Sequence, residues 1–200
     1  GTDAIEAGTV YAKGIAEGTA KIKVTSADNE NITDECSVTV YPAHTHDNIS
    51  FQPWDSADSL PDKPGDYYLT KDVELSNTWN VPANGPTCLC LNGHNITMTG
   101  QNSRVILIKE NATLNLYDEE NKGKITGSNN DTYAGGGVLI SSGSFNMYGG
   151  WITGNRSGQN GGGVEDHDKF YMYGGKITGN NAGADGGGVF VAPGKTFSVS

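Results

Sequence analysis

Five consecutive residues, Glu165-Asp166-His167-Asp168-Lys169, set three carboxylates, an imidazole and an ammonium side by side. Groups of these types act as acids and bases, or together hold a cation. The catalytic candidates are Asp166, Asp168 and Lys169. The metal candidates are Glu165, Asp166 and Asp168, with Asp185 nearby. A solvated polar loop accounts for the same residues without chemistry. No G-G-x-G-x-D repeat is present, so calcium is compatible with the cluster but not implied by a motif, and no other cofactor is expected. A second group is aromatic: Tyr148, Trp151, Tyr171 and Tyr173. Tyr148, Trp151 and Tyr173 are candidates for stacking on sugar rings. Tyrosine is also a strong strand former and covers sheet faces without any ligand.

Two smaller constellations remain. His44-Thr45-His46-Asp47 offers two imidazoles and a carboxylate to a metal, against the alternative of surface histidines. Cys88 and Cys90 lie in an alternating stretch, so they share one strand face. No Cys/His spacing nearby completes a zinc set, and they read as small residues in a sheet. With Cys36 the cysteines number three, which gives no disulfide framework.

The elements that must position these groups are strands. Glycine makes up 29 of 200 residues, about twice the usual share, without the G-X-Y period of collagen. No apolar run is long enough to cross a membrane as a helix. The 13 basic residues are scattered singly among 23 acidic ones, for a net charge of -10. That field repels phosphate backbones, so nucleic acid is not an expected partner.

From Gly65 onward the chain repeats itself. Gly-Gly-Gly-Val recurs at 135–138, 161–164 and 186–189, Met-Tyr-Gly-Gly at 147–150 and 172–175, and Ile-Thr-Gly-Asn at 152–155 and 177–180. A fixed period of about 25 residues signals a solenoid. Each unit holds three short alternating pieces, such as Val138–Ile140, Phe145–Tyr148 and Trp151–Thr153, and no window has helical periodicity. The expected fold is all-β: a parallel β-helix of about five coils over 65–200. Stacked coils predict inward ladders of Val138, Val164 and Val189, of Met147 and Met172, and of Ile125, Ile152 and Ile177. Asn155 above Asn180 predicts an amide ladder. In this frame Asp166 takes the inward slot that Ile140 and Val191 fill in the neighbouring coils. A buried carboxylate is costly without a partner, so Lys169 or Arg156 is expected beside it, or an outward bulge of the coil.

The start of the chain is different. Thr19–Thr25 and Cys36–Val40 alternate as two antiparallel strands around an Asp28–Asn31 turn, with another strand near Val10 and Tyr11. Residues 8–42, through Val10-Tyr11-Ala12, Ala16-Glu17-Gly18-Thr19-Ala20 and Val38-Thr39-Val40, resemble the C-terminal half of a bacterial Ig-like group 2 domain. The resemblance implies a partial β-sandwich over 1–42. Residues 43–64 read as a linker or entry segment, with Trp54 packing on the first layer of the next domain.

Residues 65–200 resemble the right-handed parallel β-helix proteins of the pectate-lyase-like class, and more narrowly the surface β-helix proteins of gram-positive bacteria. The stretches Leu69–Val81 and Leu89–Met98 resemble their first coils. The Phe145–Asn155 and Tyr171–Asn180 stretches resemble their core coils. The repeat is still running at Ser200, which predicts further coils. The resemblance implies an extracellular or wall-attached module that binds glycan or a host surface receptor, without membrane insertion in this stretch. It also admits a polysaccharide lyase or glycoside hydrolase using Asp166, Asp168 and Lys169, or a purely mechanical stalk.

Overall fold

The computed structural model describes residues 16–26 and 28–200, and every regular element in them is a strand. The chain divides into two compact units, Gly1–Ala43 and His44–Ser200. In the first, Gly18–Thr25 pairs antiparallel with Thr33–Val40, Ile22 opposite Cys36 and Ala20 opposite Val38. The expected alternation is present, but Val24 remains 60% exposed. The described residues form one hairpin and not a two-sheet sandwich. The strand expected near Val10 and Tyr11 lies outside the described residues.

The second unit is a β-solenoid of about five turns, consistent with a parallel β-helix. Each central turn contributes one short strand to each of three sheets. One turn runs Val138–Ile140, Gly143–Met147 and Trp151–Thr153; the next runs Val164–Asp166, Lys169–Met172 and Lys176–Thr178. Two sheets have five strands and the longest has eight. Successive turns pair in parallel and in register, so like residues stack.

The interior follows from that register. Trp79, Ile106, Val138, Val164 and Val189 form one column. Val73, Ile96, Ile125, Ile152 and Ile177 form another. Phe145 and Phe170 stack face to face with centroids 5.1 Å apart, and Phe197 continues the stack at 4.8 Å. The expected Met147–Met172 step is also in register. Asn155 Nδ2 donates to Asn180 Oδ1 at 3.1 Å and to the Ile125 carbonyl at 2.9 Å, forming the expected amide ladder.

The bends need glycine for two reasons. Gly150 and Gly175 adopt φ of 81° and 82°, which L side chains avoid. Their partners Gly149 and Gly174 serve close approach instead: a Cβ on Gly174 would lie 2.4 Å from the Tyr148 carbonyl oxygen.

Residues 43–64 provide the entry. His44–His46 and Ile49–Trp54 form an antiparallel hairpin around Asp47 and Asn48, whose φ values of 46° and 67° suit a tight two-residue turn. Gln52–Trp54 then pairs in parallel with Tyr67–Leu69 and starts the long sheet. Trp54 packs against the core and meets the Tyr67 ring edge-on, with centroids 5.6 Å apart.

Candidate functional site

The acidic break occupies the strand Val164–Asp166 and the bend that comes after it. Asp166 pairs with Ile140 on one side and Val191 on the other, and its side chain is fully buried. Neither expected cation joins it. Arg156 donates through Nε to Asp131 Oδ1 at 2.8 Å, and Lys169 is exposed. The coil does not bulge there, since the register is continuous across Asp166. Instead Asp166 Oδ1 accepts the Asp168 backbone N–H at 2.9 Å, and Oδ2 has no hydrogen-bond partner. Burial pushes this carboxyl above the usual aspartate range. Asp168 Oδ2 accepts the Gly143 N–H at 2.7 Å and so ties two turns together. Glu165 faces the other way and bonds through Oε1 to His167 Nε2 at 2.7 Å, while its Oε2 is buried without a partner. The residues adjacent in sequence are therefore split between two faces of one strand.

The outer face of the long sheet is more regular. Its register builds one column of Tyr68, Cys90 and Tyr117, and the rings of Tyr148 and Tyr173 extend it. Tyr117 and Tyr148 stack at 4.7 Å and 7° from parallel, and Tyr148 and Tyr173 at 4.9 Å and 12°. Tyr148 is 40% exposed and Tyr173 49%. Both faces of Tyr148 are thus taken by neighbouring rings. The column offers solvent the edges and hydroxyl groups of its rings. A second outer column runs beside it: Asn146 Nδ2 donates to Asn115 Oδ1 at 2.7 Å, and Asn115 Nδ2 to Cys88 Sγ at 3.4 Å. Tyr171 follows Asn146 in register. Trp151 belongs to a different sheet, between Lys124 and Lys176, and the Lys176 ammonium sits 4.7 Å over its ring.

The tyrosine column has one gap, at Cys90. The entry hairpin fills it. His44 stacks on Tyr68 with centroids 4.6 Å apart, and His46 stacks on Tyr117 at 5.2 Å. The two Nε2 atoms are 2.8 Å apart, and His46 Nδ1 meets Glu119 Oε1 at 2.6 Å. His46 is buried rather than the surface residue that its sequence context allows, and Cys90 is fully buried. Burial pushes the Cys90 thiol up to about 12 and that of Cys88 to about 11. The sequence displays both halves of this cluster but not their meeting. The signal was the cysteine standing where neighbouring coils carry tyrosine.

No family model, curated protein or solved structure matches this chain. The fold and the geometry above define its class, an all-β solenoid with a continuous outer ladder of rings.

Proposed function

We propose that the chain is part of a secreted or wall-attached bacterial protein. In this reading a right-handed, pectate-lyase-like β-helix acts as a non-catalytic binding module for glycan or a host surface receptor, behind an Ig-like spacer. The observation that carries it is the exposed Tyr148–Tyr173 step on stacked, rigid coils. Beyond the hairpin, this face offers ring edges, tyrosine hydroxyls and the amide of Asn146 at the coil spacing. Hydroxyl-rich, repetitive polymers are matched by such alternating polar and CH-bearing edges. Tyr173, stacked on Tyr148 and 49% exposed, provides the stacking platform.

Catalysis on a polysaccharide needs acid and base groups that reach the substrate. Asp166 points into the interior, and Asp168 is engaged by the Gly143 N–H, which favours binding over turnover. The test is a glycan array with the full chain, followed by assays for new reducing ends and unsaturated products on each hit. Binding without product, weakened more by Tyr173→Ala than by Tyr148→Ala, is the expected result. Turnover that vanishes in Asp168→Ala would replace this proposal with a lyase or hydrolase.

A further inference from the structure

We propose that His44, His46 and Cys90 form a binding site for one divalent cation of the zinc type, enclosed between the entry hairpin and the outer face of the long sheet. The three donor atoms lie within 4.8 Å of one another. They come from two separate parts of the chain, a hairpin and a coil strand. Their meeting is set by the fold, since Cys90 lies in register between Tyr68 and Tyr117. Two rings of a stacked column that are two coils apart stand about 9–10 Å from centre to centre, with a slot between them. His44 and His46 each lean on one wall of that slot, and the sulfur forms its floor.

The surroundings are arranged as around a metal. Glu119 at His46 Nδ1 keeps the proton on that nitrogen, which leaves the Nε2 lone pair directed toward His44 and Cys90. A carboxylate behind a ligating imidazole is the usual outer partner that orients such a ligand and raises its basicity. Cys90 Sγ accepts the Asn92 backbone N–H at 3.3 Å, a contact that favours the thiolate. Tyr68 and Tyr117 brace the two imidazoles and fix their planes.

The donor set selects the ion. Two imidazoles and one thiolate suit zinc, whereas calcium and magnesium require oxygen ligands. A tetrahedral zinc ion holds such donors about 3.3–3.6 Å apart. The two Nε2 atoms at 2.8 Å therefore separate by roughly 0.5 Å on binding, and the sulfur moves closer. The proton between the imidazoles shifts to His44 Nδ1 by a change of tautomer. The thiol proton of Cys90 leaves to solvent as the metal–sulfur bond forms. Three protein ligands leave the fourth position to water or to another ligand.

The experiment is a Co²⁺ titration of the full chain under reducing conditions, followed by displacement with Zn²⁺. One equivalent of Co²⁺ should produce a thiolate-to-cobalt charge-transfer band that zinc bleaches. The band should vanish in Cys90→Ser and persist in Cys88→Ser and Cys36→Ser. His44→Gln, at the less buried imidazole, provides a second ligand variant, with circular dichroism to verify that the fold is kept. Glu119→Gln should weaken binding roughly 10- to 100-fold while retaining the band. Absence of the band from a reduced, folded chain at excess Co²⁺ would overturn the site. So would a band that survives Cys90→Ser or is lost in Cys88→Ser.

Discussion

His46 lies on Tyr117 with the two rings 11° from parallel, which places an imidazole of the entry hairpin in line with a column of coil tyrosines. The hairpin thereby seals the outer face of the first coils. Phe51 is 4% exposed and meets Tyr117 edge-on, with centroids 5.7 Å apart. The ladder becomes exposed beyond this cover, at Tyr148 and Tyr173, while Tyr117 is half-buried.

That cover has a direct chemical consequence for the thiols. Cys36 is exposed, whereas Cys88 and Cys90 are buried and their thiols are raised to about 11 and about 12. The thiolate is the reactive form, so both burial and ionisation slow attack at these two. Under native, metal-free conditions Ellman's reagent should titrate one fast thiol per chain. All three should react in urea. Two or three fast thiols in the native chain would mean that the hairpin does not hold the sheet's outer face closed.

Inward and outward rings should respond differently to truncation. Phe145 is fully buried and stacked on Phe170, while Tyr148, three residues later, is partly exposed. Phe145→Ala should cost about 3–5 kcal/mol, including the cavity term. Tyr148→Ala should cost less, about 1–3 kcal/mol, from one lost ring contact on each side. Urea midpoints at constant m-value measure both. Equal losses would show that the outer column carries as much of the fold as the core does.

The contrast between these two residues also shows what the sequence discloses. Period-2 alternation in Phe145-Asn-Met-Tyr148 gives the facing of every side chain, and the 25-residue repeat gives the register. Together they suffice for the Ile, Val, Met and Asn ladders. The site is less legible, because its members meet through contacts that the repeat does not encode. His44 and His46 lie in a segment without repeats, and their docking on Tyr68 and Tyr117 depends on a hairpin folding back over three strands. Asp166 differs from the expected pairing with a cation for a similar reason. A local backbone N–H, that of Asp168, reaches Oδ1, and Arg156 is drawn instead to Asp131 on the previous turn.

Asp166 makes stability depend on pH in an unusual direction. Its pKa in the folded state is raised, chiefly by burial, above the unfolded value. The folded state therefore binds the proton more tightly. The stabilising effect of that proton is fully present below the ordinary aspartate value of about 4 and is lost as pH rises through the higher folded value. Asp166→Asn removes the charge, and its amide oxygen can still accept the Asp168 N–H. The variant should be more stable than the natural chain by about 1 kcal/mol at pH 7, with the gain fading toward pH 4. Urea unfolding of both proteins at the two pH values gives the comparison. A loss of stability in Asp166→Asn at pH 7 would show that the ionised carboxylate has a partner in solution.

The asparagine ladder should be worth more at its inner step than at its outer one. Asn155 is 2% exposed and saturates both ends of its amide. Nδ2 donates to the Ile125 carbonyl and to Asn180 Oδ1, and Oδ1 accepts the Ser128 N–H at 3.3 Å. Asn180 is less buried; its Nδ2 reaches the Ile152 carbonyl at 2.8 Å. Asn155→Ala takes the acceptor from the Ser128 N–H and a donor from the Ile125 carbonyl, both on the preceding turn, while Asn180 Oδ1 keeps the residue-155 backbone N–H; unsatisfied buried groups cost about 1–3 kcal/mol each. The expected loss is about 3 kcal/mol for Asn155→Ala and about 1 kcal/mol for Asn180→Ala. Because the two amides bond directly, the double variant should lose less than the sum of the single ones. Strict additivity in that cycle would mean that the two side chains act as independent caps and that the ladder has no energy of its own.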